Sequence, residues 1–352
     1  MIFLSVTLPR SALIGPPLTR RYGERVNDVI AVIGQALIDL VAAPDGTVAA
    51  KPGGGPYNTA RTIGRLGGRA SFLGRLSDDA FGRLLRAGLA ESGVTLGLPG
   101  LTCAPTTLAI ASISVGSASQ GSADEGSAEY RFYLAGTSAA DVEYSELAAA
   151  APDGVAAVYV GDLALLIEPS GASIERLLLA GAYATGAPLV LIDPNCRPSA
   201  VPDRGAYLAR LARLFGRADI VKASAEDLAY LYPGLPPAEA ARALLTAGPA
   251  LVLVTDGPRA ARAFLAGSPD GPAREVIAAI PPVTVVDTIG AGDAFGGAFL
   301  TWWTRESLTR ADLANPELVA PALHAAAEVA SLTCTRPGAD PPRLSEVPWP
   351  ER

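Results

Sequence analysis

The chain has 352 residues, 49% hydrophobic and 18% charged, which suits one large α/β domain, or one domain with a small appendage, and provides for a full core. A formal net charge of −7 gives no electrostatic case for a nucleic-acid or anionic-membrane partner, and no apolar run reaches membrane-spanning length. Three widely spaced cysteines, Cys103, Cys196 and Cys334, with one histidine, His324, argue against a disulfide framework or a zinc site and fit a reducing cytoplasm.

Residues 1–27 start apolar but turn to prolines and arginines with no clear small-residue cleavage site. They read as a disordered N-terminal extension rather than a signal peptide. Val29–Ile33 reads as a buried first strand. Asn58–Leu66 is expected as a helix opening from a glycine loop, and Ser71–Leu73 as a short strand. Asp79–Ser92 is amphipathic, with Phe81, Leu84, Leu85 and Leu89 on one face. Thr106–Ser114 and Tyr130–Leu134 look like strands joined by a polar stretch, Gly116–Ala128, which has little to bury.

After residue 150 strands and helices alternate: Val155–Val160, Ile174–Ala184, Pro188–Asp193, Ala206–Phe215, Ile220–Lys222, Ala225–Leu231, Ala238–Ala247, Leu251–Thr255. That spacing predicts a parallel sheet wrapped by helices, with ligands at the carboxyl ends of its strands. His324 lies in an Ala-rich helical stretch and reads as a packed or surface histidine. The expected domain covers 28–345, leaving 346–352 as a tail.

The stretch Val286-Asp287-Thr288-Ile289-Gly290-Ala291-Gly292-Asp293 carries the most chemistry. It precedes what reads as a helix of small and apolar residues. Helix starts expose unsatisfied N–H groups and a positive dipole end, and small residues at 290–292 let an anion approach them. A carboxylate at 293 then stands where it can take a proton from an attacking hydroxyl. A glycine-rich turn before a helix is also ordinary packing, so the octet gains weight only beside a second motif. That motif is Gly53-Gly54-Gly55-Pro56-Tyr57-Asn58-Thr59-Ala60, running on to Arg65-Leu66-Gly67-Gly68.

Together, from about Val29 to Pro342, these segments resemble the ribokinase-like (PfkB-type) family of sugar and nucleoside kinases. Gly34-Gln35-Ala36-Leu37-Ile38-Asp39 is most similar to the fructokinase-type branch, which usually has Glu where this chain has Gln35. The resemblance implies an α/β fold, a three-layer αβα domain around a mostly parallel sheet. A small β lid would form from Val41–Lys51 and about 102–138. It also implies an ATP-dependent sugar kinase, with Mg²⁺, and a homodimer formed through the lid.

The site residues follow from the same resemblance. Asp293 would be the base, with Gly290, Ala291 and Gly292 presenting backbone donors to the phosphoryl group. Asp39, Gly53, Gly54 and Asn58 would serve the sugar hydroxyls. A solvated loop acid and a helix cap are the plain alternatives for Asp39 and Asn58. Asp162 ends a strand and can reach the sugar. Arg197, in Asp193-Pro194-Asn195-Cys196-Arg197, would contact phosphate or an anionic substrate, or else form a structural ion pair. Lys222-Ala223-Ser224-Ala225-Glu226-Asp227 resembles the family's N-x-x-E segment, with Ser224 and Asp227 in the Asn and Glu places. There they would help place Mg²⁺ and phosphates, or simply cap a helix. Thr255, Gly257 and Thr288 fall at nucleotide positions. Asp287 and the backbone of Ile289 match places that bind a monovalent cation such as K⁺ in several relatives, with Ala330 and Arg336–Gly338 as the other half.

No G-x-x-x-x-G-K-[ST] motif is present, so phosphate charge must be met without a P-loop lysine. Fructose is the expected acceptor, ahead of ribose and 2-keto-3-deoxygluconate. A nucleoside ranks lower because no aromatic platform is evident near Asp39. A non-catalytic sugar or nucleotide sensor is a different class, against which the intact 290–293 segment argues. A dinucleotide oxidoreductase would need G-x-G-x-x-G after the first strand, which Gly34-Gln35-Ala36 does not provide.

Overall fold

Short apolar strands here are hydrophobic on both faces because helices cover both. In the computed structural model, which describes residues 28–349 except 44, 114–127, 153, 182, 184–187 and 268–273, alternate residues of each central strand enter different cores. Ile30, Val32, Ala157 and Tyr159 pack into one, and Ala31, Ile33, Val158 and Val160 into the other. The first core is closed by helices Gly55–Arg65, Ala80–Glu91, Ala291–Arg305 and Pro316–Thr333. The second is closed by Ser170–Ala180, Arg204–Phe215, Ala225–Leu231 and Pro237–Leu245. This is the three-layer αβα arrangement, with the period-two alternation of a strand splitting one sheet between two cores.

Among the described residues nine strands form that sheet. Their order is Arg274–Ala279, Ala260–Leu265, Leu251–Thr255, Ile220–Ser224, Leu189–Asp193, Val155–Gly161, Val29–Ile33, Arg69–Leu73, Thr95–Leu96. All neighbours run parallel except that Ala260–Leu265 is antiparallel to both of its own. A separate small sheet has the order Val48–Gly53, Leu37–Ala42, Leu108–Ile113, Ala128–Tyr133. Its central pair is parallel, and Asp39 lies in register with Lys51 on one side and Ala109 on the other. Ala109 is in turn paired with Phe132, so Lys51, Asp39, Ala109 and Phe132 share one row and one face.

Several expectations need correcting. Asp39, for which a solvated loop acid is the plain alternative, is inside a small-sheet strand. Leu84 is 43% exposed, so the apolar face of its helix is set by Leu85 and Leu89. The presumed tail packs instead: Val347 and Trp349 are buried, and the Trp349 ring meets Trp302 edge-on at 5.3 Å. His324, expected as a packed or surface histidine, is on the surface, on the exposed side of Pro316–Thr333. Residues 1–27, and the polar stretch before residue 128, lie outside the described residues.

Candidate active site

The large sheet ends its parallel strands on one side, and the small sheet stands over those ends. Between them is a cavity of about 660 Å³. The small sheet contributes Leu37, Asp39, Tyr130 and Phe132 to its wall, and the strand ends contribute Asp162, Asn195, Arg197 and Lys222. Gly54, Gly55 and Asn58 close one flank, and Thr288, Ile289, Gly290, Gly292 and Asp293 another.

Asp293 is in the first turn of helix Ala291–Arg305, whose N-cap Gly290 adopts φ 77°. A side chain there would be strained, and an added Cβ would also sit 2.5 Å from Ala339 Cβ. The first turn of an α-helix has N–H groups without intrahelical acceptors, so this wall of the cavity is a donor surface. Asn58 Nδ2 donates to Asp293 Oδ2 at 2.9 Å. Gly55 separates Asp293 from Asp162: an added Cβ would lie 3.1 Å from Asp293 Oδ1 and 3.0 Å from Asp162 Oδ2. Asn58 Oδ1 and Asp162 Oδ1 are buried and have no hydrogen-bond partner among the described residues. Both belong to cavity-wall residues, so the site presents acceptors that a ligand's hydroxyl groups can satisfy.

Burial pushes the carboxyl of Asp39 up to about 6, helped by the charges of Asp162 and Asp293 and opposed by Arg197 and Lys51. Burial also raises Asp162, with Arg197 opposing and Asp293 reinforcing the shift. Beneath them Lys222 Nζ donates to Asp193 Oδ2 at 2.8 Å, with both side chains almost fully buried. Complete burial raises Asp193, and Lys222 opposes that rise. An added Cβ on Gly292 would lie 3.0 Å from Lys222 Nζ, so the ammonium stands directly beside the helix start.

The other expected residues sit off the cavity wall. Gly53 makes room for Asp39, whose Oδ2 would be 2.1 Å from an added Cβ. Ala291 is the first residue of its helix. Ser224 and Asp227 form a reciprocal cap on Ala225–Leu231, and Asp227 Oδ1 accepts from Cys196 N at 2.6 Å. Thr255 ends its strand, and Gly257 follows in an exposed turn. Asp287 accepts from Ile289 N at 3.0 Å and from Gly338 N at 2.7 Å, with Lys51 Nζ 3.9 Å from its Oδ2.

Lys222, Tyr130 and Phe132 are site residues that the motifs do not point to. The chain has two lysines, Lys51 and Lys222, against 26 arginines, and both border the 287–293 segment. That rarity was the available signal. Tyr130 and Phe132 stack with centroids 6.1 Å apart and supply the aromatic surface near Asp39 whose absence counted against a nucleoside. Among the described residues no group of three or more His, Cys, Asp or Glu could hold a metal ion, and no helix is long and apolar enough to cross a membrane.

The family model for pfkB family carbohydrate kinase matches residues 27–346. A fructokinase of Rhizobium leguminosarum bv. trifolii is 31% identical, over 77% of this chain and 78% of its own length. The structure of a fructokinase with bound ATP from Xylella fastidiosa is 27% identical and superimposes with a TM-score of 0.77, covering 90% of this chain and 96% of that one. An aminoimidazole riboside kinase from Salmonella enterica, complexed with aminoimidazole riboside and an ATP analogue, is 26% identical. Its TM-score is 0.70, covering 89% of this chain and 95% of that one.

Two predictions follow from the charges alone. A carboxyl raised in the folded state contributes stability that is fully present below its unfolded pKa and lost as pH rises through the folded one, here from 3.8 to about 6. Asp39→Asn is therefore expected to raise the melting temperature of the unliganded protein at pH 8, with the gain shrinking toward pH 4; an unchanged or lower value at pH 8 refutes the assignment. Lys222→Met strands a buried carboxylate and is expected to cost about 3–5 kcal/mol at neutral pH. Adding Asp193→Asn should restore much of that stability in a denaturant titration. A double variant no more stable than the single one would show that the pair does not carry the loss.

Proposed function

The chain belongs to the pfkB family of carbohydrate kinases, and from that premise we propose that it transfers the terminal phosphoryl group of ATP to a primary hydroxyl of free fructose. The observation that carries this reading is the placement of Asp293. It is at an open helix start on one side and next to two unsatisfied buried acceptors, Asn58 Oδ1 and Asp162 Oδ1, on the other. Phosphate and polyol meet at that residue.

In this mechanism Asp39, Asp162 and Asn58 accept hydrogen bonds from sugar hydroxyls and fix the acceptor. Asp293 takes the proton of the primary hydroxyl as its oxygen forms a bond to the γ-phosphorus. The bond from that phosphorus to the bridging oxygen of ADP breaks, and ADP leaves with the electron pair. Backbone N–H groups of Gly290, Gly292 and Asp293 and the ammonium of Lys222 stabilise the charge on the phosphoryl oxygens, while Ala291 N donates to Thr288 O. Each backbone donor of this kind is typically worth about 3 kcal/mol in the transition state. Arg197 at the rim meets further negative charge.

Mg²⁺ fits this wall as a nucleotide-held ion, since Mg²⁺ commonly rides on phosphate oxygens and water rather than in a protein cage. Asp227 would act on it only through water, because its oxygens are engaged by Cys196 and Ser224. When bound, the ion neutralises phosphate charge. At Asp287 a K⁺ ion would share the carboxylate with Lys51 and two backbone N–H groups, so turnover is expected to respond weakly to K⁺.

The small sheet supplies one wall of the cavity and acts here as a lid that excludes water. Among the described residues its outer strands have open edges, and Val48 and Tyr133 are exposed on them, which supports a homodimer formed through this sheet. Free cysteines at 103, 196 and 334 suit a cytoplasmic location. One observation favours a second acceptor class: the stacked Tyr130 and Phe132 offer a ring face to a riboside.

ADP release from Mg²⁺–ATP should be strongest with fructose in a panel that also holds ribose, 2-keto-3-deoxygluconate, glucose, inosine and adenosine, with and without K⁺. The largest kcat/KM with a nucleoside would replace fructose by the riboside reading, and no acceptor-dependent signal would defeat the kinase. Asp293→Asn is expected to keep sugar and nucleotide affinity while kcat falls about 10²–10⁴-fold or more. Near-normal turnover in that variant would remove Asp293 as the base.

A further inference from the structure

We propose that Gln35 is a positioning residue for the acceptor: it holds Asp162 with one carboxylate oxygen saturated and the other presented to the sugar. This rests on the sugar-kinase reading and deepens it. Gln35 follows the first strand and is 1% exposed. Ala164 N donates to Gln35 Oε1 at 2.8 Å. A backbone N–H can only donate, so this bond settles which end of the amide is oxygen and turns Nε2 toward Asp162. Nε2 donates to Asp162 Oδ2 at 2.6 Å, and Gly55 N donates to the same oxygen at 2.9 Å. Two donors thus occupy Oδ2, while Oδ1 is buried in the cavity-wall residue without a partner among the described residues.

The backbone adds a second, independent reason. Asp162 has φ 62°, a left-handed conformation that non-glycine residues adopt at a cost unless their surroundings over-determine it. The bonds to Gln35 and Gly55 are what fixes its side chain there. Position 35 must accept from Ala164 and donate to Asp162 at once. An amide of this length does both at any pH, whereas a carboxylic acid does so only while protonated. A carboxylate at 35 would face Asp162 Oδ2 without a proton between them, and a thioether would leave Ala164 N unpaired.

The surrounding charges sharpen the consequence. Arg197 favours ionised Asp162, while Asp293 opposes it and Asp39 shares the same cavity. Tyr159 and Tyr207, the other titratable groups acting with Asp162, have hydroxyls raised by burial and stay neutral. A glutamate at 35 would therefore enter an already acidic cluster. When protonated it can donate to Asp162 as Gln35 does, and when ionised it repels it.

The test compares Gln35→Glu and Gln35→Met with wild type, measuring acceptor KM and kcat at saturating ATP, and acceptor affinity by calorimetry without nucleotide, from pH 5.5 to 8.5. Gln35→Glu is expected to raise KM and the dissociation constant about tenfold or more at pH 8, with kcat changing far less. The ratio to wild type should fall toward unity as pH drops. Gln35→Met should weaken binding by a ratio that stays level with pH. Wild-type acceptor affinity in Gln35→Glu at pH 8, or a pH-independent loss of kcat and melting temperature with KM unmoved, overturns the positioning role alone. Wild-type protein that binds no acceptor in the panel overturns this role together with the sugar-kinase reading.

Discussion

Four carboxylates gathered at one end of a sheet are the constraint on which the rest of this structure depends. Asp39, Asp162, Asp193 and Asp293 belong to separate elements, yet the first three are raised by burial and, in each case, also by the charge of Asp293. Like charges brought together in a poorly solvated place raise each other's pKa and destabilise the fold. The chain offsets this with few groups: Lys222 under Asp193, Arg197 at the rim, the donors of Asn58, Gln35 and Gly55, and the start of helix Ala291–Arg305. Removing any of these leaves a carboxylate that must take a proton or move.

The glycines of the two motifs follow from the same crowding. Gly53 clears space for Asp39, Gly55 for Asp162 and Asp293 together, and Gly292 for the Lys222 ammonium. Gly290 does something different: its positive φ turns the chain against Ala339 and aims the helix start at the cavity. The loop behind it is held by Arg61, which donates to Ala339 O, and by Arg65, which reaches Asp340 and Pro341. The 290–293 turn thus rests on side chains of helix Gly55–Arg65, which also carries Asn58.

What was legible from the chain was what its chemistry states locally. The helix start at 290–293 is legible because small residues and an acid stand together before an apolar helical run. The alternation after residue 150 declares a parallel sheet, and helix Ala225–Leu231 and strand Leu251–Thr255 have the expected bounds. Strands Ala260–Leu265 and Arg274–Ala279 were missed because alanine and charge dilute their β-propensity, and sheet pairing overrides that weakness. Tyr130 and Phe132 could not be linked to Asp39 by inspection. They reach it through Leu108–Ile113, which pairs with one strand in parallel and the other antiparallel. Lys222 reads as the last residue of an apolar run until the neighbouring strand shows Asp193 beside it. Gln35 looks like a departure from a motif until Asp162, 127 residues away, supplies its partner.

These pairings divide the cavity by hydrogen-bonding character. The half under the small sheet is made of acceptors: Asp39, Asp162 Oδ1 and Asn58 Oδ1. The half at the 290–293 turn is made of donors: helix N–H groups, with Lys222 beside them, while Arg197 at the rim acts on acids of both halves. A neutral polyol can satisfy the first half and a polyphosphate the second, while neither suits both. Asp293 belongs to the seam, since its backbone is in the donor turn and its carboxylate is bound to Asn58 on the acceptor side. In the proposed reaction a hydroxyl placed by the acceptors and a phosphorus placed by the donors would meet at that carboxylate. Division of the wall into two chemistries therefore does the work of orientation before any bond changes.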